Sequence, residues 1–136
     1  MKIYAIICTR SRSDITPTTD NLLSFFSKCG IQILLIAGAK SIFKAYNGAF
    51  EKTNADPEDI IIMCHDDIEI REKPEIFVEK LKTTLDRDML AFAGPAGTTY
   101  LDKDAVWWDQ GRWQQGLHKG KVTHIDPHNK PYLTYY

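Results

Sequence analysis

One stretch constrains the fold more than any other. Ile60-Ile61-Ile62-Met63-Cys64 is an unbroken apolar run that stops at His65-Asp66-Asp67. Large and sulfur-bearing side chains in succession predict a strand covered on both faces, the pattern of a central strand in a parallel sheet. The imidazole and the two carboxylates then fall just past its carboxyl end, where open α/β sheets bind ligands. Adjacent carboxylates repel each other unless a cation or basic group is near. A divalent cation would relieve that repulsion and could also neutralise phosphate oxygens. If His65 ligates, the cation is manganese before calcium, because imidazole suits the transition metals. The competing reading is a solvated turn in which Asp66 or Asp67 caps the next segment of chain, and the residues alone leave both open.

The chain on either side alternates between strand and helix patterns. Lys2 to Cys8 predicts the first strand, followed by a polar loop containing Arg10 and Arg12. Thr16 can cap a helix with Pro17 at its first position and Leu22, Phe25, Phe26 and Cys29 as its apolar stripe; Gly30 then stops it. Ile31 to Ala37 predicts a second strand, and Gly38 permits a tight turn. Ser41 caps a second helix, with Ile42, Ala45, Tyr46, Ala49 and Phe50 at helical spacing and Asn47 on the margin of that stripe. Gly48 costs this helix about 1 kcal/mol relative to alanine, which points to helix–sheet packing or to close approach of a ligand or strand. Asn54 to Asp59 is turn chemistry. Pro74 opens a third helix carrying Phe77, Leu81 and Leu85. Met89 to Ala93 predicts a fourth strand, and Gly94-Pro95-Ala96-Gly97 a sharp turn. Periodicity then fails, although Val122 to Tyr136 has the character of one hairpin. The order β-α-β-α-β-α-β implies an α/β domain with a mostly parallel sheet flanked by helices. It is read as one domain over 1–136, with an α/β core at 1–100 and an irregular segment at 101–136.

Composition narrows the function. At 136 residues, 43% apolar and 26% charged, the chain is globular, and its net charge of −1 gives no footprint for nucleic acid. No apolar run approaches the ~20 residues of a membrane span, and no signal peptide is recognisable. Three widely spaced cysteines, Cys8, Cys29 and Cys64, read as reduced, buried thiols of a cytoplasmic protein. No glycine-rich phosphate loop occurs. Thr9 and Arg10, after the first strand, could hold a base or ribose through the backbone and a phosphate through the guanidinium. Trp107 and Trp108, with Trp113, are platforms for sugar rings or else a small local core. Asp102, Asp104 and Asp109 are ordinary loop residues that could also serve as a base. His124 and His128 are four apart, but Pro127 lies between them and a zinc site is disfavoured.

Asn47-Gly48, followed by a strand ending in Cys64-His65-Asp66-Asp67-Ile68, resembles the nucleotide-sugar half of family-2 glycosyltransferases with the GT-A fold. Met63 to Ile68, then Phe92 to Gly97, then Ala105 to Trp108 are similar to the glycosyltransferase-like family typified by a streptomycin-biosynthesis protein, in which the metal motif begins with His. The resemblance runs from Lys2 to about His124 and implies a metal-dependent glycosyltransferase. Asp67 and His65 would bind a divalent metal, Mn2+ or Mg2+. Thr9, Arg10, Asn47 and Asp66 would contact a nucleoside-diphosphate sugar. Trp107 and Trp108 would border the sugar or a carbohydrate or other glycosyl acceptor, making 101–136 the acceptor side. Two departures accompany it. Ala37-Gly38-Ala39 stands where an acid usually reads the base, and no segment with the catalytic base is recognisable. The acceptor half is therefore expected to be incomplete, turnover weak, and exposed apolar surface available for self-association. The alternatives are a noncatalytic nucleotide-binding or interaction domain of the same fold and a metal-dependent phosphohydrolase.

Overall fold

A computed structural model describes residues 1–11, 13, 15–87, 90, 92–94, 96–98, 116, 118–126, 128 and 130–135. It divides into two compact units, Met1–Thr83 and Thr84–Tyr136.

The first unit is built on three parallel strands, β1 (Ile3–Thr9), β2 (Gln32–Ala37) and β3 (Ile60–His65), in the order β2-β1-β3. Registers are continuous: Tyr4 to Thr9 pair with Gln32 to Ala37, and Ile3 to Cys8 pair with Ile60 to His65. The central strand is thus β1. Ile6 and Ile7 are fully buried, as is Ala5, and only Cys8 is partly exposed. Among the described strands the Ile-rich β3, expected in the centre, lies at an edge of this sheet, and its Met63 is 49% exposed. Along that strand Ile60 is buried, Ile61, Ile62 and Cys64 are partly covered, and Met63 and His65 are exposed, so the cover on both faces expected of the apolar run fails toward its carboxyl end.

Helices α1 (Pro17–Lys28) and α2 (Ile42–Thr53) make the two crossovers. α1 carries the chain from β1 outward to β2 and α2 carries it back past β1 to β3, so the two crossovers run in opposite directions and the right-handed rule puts them on opposite faces. The capping signals hold. Thr16 accepts from the Thr19 amide at 3.2 Å, Pro17 occupies the first turn, and Ser41 accepts from the Lys44 amide at 3.4 Å. Leu22 and Phe26 of α1 are buried, and the Phe25 and Phe26 rings meet Phe77 of α3 (Pro74–Leu85) at 5.3 and 6.2 Å. Burying side chains of this size stabilises by about 1.5–3 kcal/mol each. At the amino end of the sheet, the Asp59 carboxylate accepts from the Lys2 and Asp56 amides, and its side chain is only 2% exposed. The result is the expected α/β, GT-A-like arrangement, a parallel sheet flanked by helices.

In the second unit β4 (Ala96–Thr98), β5 (His118–Ile125) and β6 (Pro131–Tyr135) pair antiparallel in that order. The expected hairpin is β5–β6. Its turn is held by the Asp126 carboxylate, which accepts from the His128 and Lys130 amides at 2.9 and 2.8 Å. The fourth strand is not where it was expected. Leu90, Phe92 and Ala93 lie outside any strand, and Ala96 and Gly97, expected in a turn with Gly94 and Pro95, pair with β5 together with Thr98.

Candidate functional site

Parallel pairing decides what meets at the carboxyl rim of the sheet. Cys8 stands opposite His65 and Thr9 opposite Ala37, so the loop after β1, the turn after β2 and the acidic cluster after β3 all emerge on one side. Adjacent strands lie about 4.8 Å apart, which makes the rim about 10 Å wide from β2 to β3.

On the β2 side, Gly38 takes a positive φ of 67° and its amide donates to the Thr9 carbonyl at 3.1 Å. That turn ties the second strand to the loop after the first, and a side chain at this φ would be strained. Beside it an open groove of about 600 Å3 is lined by residues that include Arg10, Ser11, Gly38 and Lys52. The groove contains none of His65, Asp66 and Asp67, so it belongs to the β2 side of the rim only.

On the β3 side, His65 and Asp67 are exposed and Asp66 is partly covered. None of the three forms an ion pair among the described residues. The backbone around them is held from two helices. The Tyr46 hydroxyl of α2 donates to the Cys64 carbonyl at 2.9 Å. The Thr19 hydroxyl of α1, 1% exposed, donates to the Asp66 carbonyl at 3.3 Å and lies 3.0 Å from the Thr16 hydroxyl.

Electrostatics keep this neighbourhood neutral beneath its acidic edge. Burial pushes the Cys64 thiol up to about 11, with the Cys8 and Asp66 charges adding to it. Burial likewise raises Cys8, an effect partly offset by the Tyr46 hydroxyl beside it. Burial first and Cys8 second raise Tyr46 itself, so its phenol stays protonated and keeps donating. All three cysteines are free, as their spacing implied, but each is half-buried where full burial was expected.

Of the residues singled out from sequence, Thr9, Arg10, His65, Asp66 and Asp67 come to one rim. Thr9 is buried at 7% exposure and Arg10 is exposed. Asn47, expected on the margin of the apolar stripe, is exposed. Gly48 is not explained by packing, since a Cβ there would meet no atom within 4 Å. Trp107, Trp108, Trp113, Asp102, Asp104, Asp109 and Arg12 lie outside the described residues. His124 sits in β5, its ring stacked on Tyr132 at 5.2 Å, and His128 sits in the turn, so the helical spacing needed for a zinc pair is not formed. Tyr46 and Thr19 are the additions. A tyrosine in a helix's apolar stripe is a usable sequence signal, because a covered phenol needs a hydrogen-bond partner. Thr19 carries no such signal.

No three metal-ligating side chains converge among the described residues. His65 and Asp67, both exposed, offer an imidazole and a carboxylate as donors. Magnesium and manganese beside phosphates are held by one or two carboxylates and complete their shells with phosphate oxygens and water. No helix of the described chain is long and apolar enough to cross a membrane.

No solved structure matches the chain. The streptomycin biosynthesis protein StrF of Streptomyces griseus is 26% identical over 98 residues, 71% of this chain and 32% of that protein. The chain thus spans about a third of the length of this relative. The profile of the glycosyltransferase-like family matches residues 7–135, and the chain belongs to that family.

Proposed function

We propose that this chain binds a nucleoside-diphosphate sugar together with a divalent cation, Mn2+ or Mg2+, and transfers the glycosyl group to a carbohydrate or other acceptor. One observation carries the reading: the parallel register of β1 and β3 brings Thr9 and Arg10 to the same rim as His65, Asp66 and Asp67. Asp67 and His65 are the residues to hold the cation, with Asp66 beside them. A cation bound there neutralises charge that develops on the leaving nucleoside diphosphate. Arg10 is exposed and free to meet a phosphate oxygen, and its fork suits that geometry. Thr9 and Asn47 position the nucleotide, and the groove on the β2 side leaves room for base and ribose. Three free thiols fit a reducing compartment such as the cytoplasm.

Thermal unfolding with manganese and a panel of nucleoside diphosphates is the first test, followed by transfer and hydrolysis of the sugar nucleotide that binds. A ligand at about 100 times its dissociation constant adds roughly 2.7 kcal/mol of stability. The proposal expects a manganese-dependent shift that Asp67→Ala abolishes. Binding without transfer or hydrolysis would favour a noncatalytic nucleotide-binding domain. Release of phosphate from simple monoesters would favour a phosphohydrolase, and robust metal-independent transfer would overturn the metal role.

A further inference from the structure

We propose that Tyr46 and Thr19 are positioning residues which clamp the backbone on both sides of His65 and so hold His65 and Asp67 ready for the cation. The inference rests on the proposed glycosyl-transfer function and adds to it two residues that touch neither cation nor nucleotide.

The geometry is a pair of hydrogen bonds from two helices to carbonyls two residues apart. Tyr46 of α2 donates to Cys64, the residue before His65. Thr19 of α1 donates to Asp66, the residue after it. Beyond His65 the β1–β3 ladder has ended, so the Asp66 carbonyl has no strand partner to accept from. Thr19 supplies one, and it is itself held in a hydroxyl chain: the Thr16 oxygen accepts from the Thr19 amide at 3.2 Å and lies 3.0 Å from the Thr19 hydroxyl. With both carbonyls engaged, the torsions around His65 are bounded at each end. The side chains of His65 and Asp67 stay exposed while that of Asp66 is partly covered. Ligands fixed in this way bind metal more tightly than ligands that must first be ordered; a partner bonded to the ligand itself typically changes affinity by about 10–100-fold, and a backbone clamp one residue away is expected at the low end of that range.

Tyr46→Phe and Thr19→Val remove one hydroxyl each and keep the shape, and Thr19→Ser restores the donor. Two readouts are needed on the whole chain. One is the affinity for manganese in the presence of a nucleoside diphosphate, read from the electron paramagnetic resonance signal of free Mn2+. The other is hydrogen exchange at the amides of residues 65–68 without metal. The expected result is faster exchange in Tyr46→Phe and Thr19→Val and manganese affinity roughly tenfold weaker in each, with Thr19→Ser close to the unaltered chain. A lowered melting temperature with unchanged manganese affinity, or unchanged exchange at 65–68, would overturn the inference and leave the proposed function standing. If the unaltered chain binds no manganese with any nucleoside diphosphate, the function itself fails, and the inference falls with it.

Discussion

Cys8 and His65 stand directly opposite each other at the carboxyl ends of two parallel strands. That pairing brings the polar loop after β1 and the acidic cluster after β3 to one rim. Had β3 run antiparallel, His65 would sit near Lys2 at the amino end of β1, and Asp59 would stand in its place at the carboxyl rim. The direction of a single strand therefore separates a candidate site from two unrelated polar patches.

Gly48 gives a stability prediction of unusual sign. It lies inside α2 at a helical φ, and a Cβ there would meet open space. Gly48→Ala should therefore stabilise the metal-free protein by about 0.5–1 kcal/mol, measured by denaturant unfolding. Destabilisation would mean that the helix is packed more tightly at this point than its surroundings indicate. If the substitution stabilises the protein but weakens nucleotide binding, a ligand approaches this surface.

Asp59 predicts an acid limb of stability. Its carboxyl is held below the usual carboxylate range, first by the Lys2 amide and further by the Asp56 amide and the nearby positive charges. A depressed native value means that the stabilisation is complete above the unfolded value, about 3.9, and is lost as pH falls through the native one. Asp59→Asn should lower the melting temperature at neutral pH and flatten its decline below about pH 4. Equal declines in the two proteins would remove Asp59 from the account.

The thiols give a third. Burial raises Cys64 to about 11 and raises Cys8 as well, so at pH 8 each carries less thiolate than a free cysteine. Alkylation of the folded protein, followed by peptide mass spectrometry, should show both reacting more slowly than the same residues in denaturant. The rate should climb as pH rises through the raised range. A fast, pH-insensitive reaction at Cys64 would contradict the burial that orders this side of β3.

Much of this arrangement is legible in the residues themselves. Helix starts could be read because Thr16-Pro17 and Ser41 are local chemical signals, satisfied within three residues. The position of His65-Asp66-Asp67 at a rim could be read because an apolar run ends there. Sheet order could not. Ile60 to Cys64 and Ile3 to Cys8 are similarly apolar, and only the partners of each strand decide that β1 is central and β3 an edge. Met89 to Ala93 carries the composition of a strand, whereas the pairing actually formed falls on Ala96 to Thr98, whose glycine reads as a turn. The Thr19–Asp66 bond joins residues 47 apart and leaves no local trace.

The central claim, that the carboxyl rim of β1 and β3 holds a cation together with a nucleoside diphosphate, is most directly tested by paramagnetic broadening in the amide NMR spectrum. Manganese added with a nucleoside diphosphate should broaden the signals of Thr9 and of His65 to Asp67, and leave Lys2 and Asp59, at the opposite ends of the same strands, sharp. In Asp67→Ala the broadening should disappear at the same manganese concentration. Broadening centred on Lys2 and Asp59, or an unchanged pattern in Asp67→Ala, would contradict it.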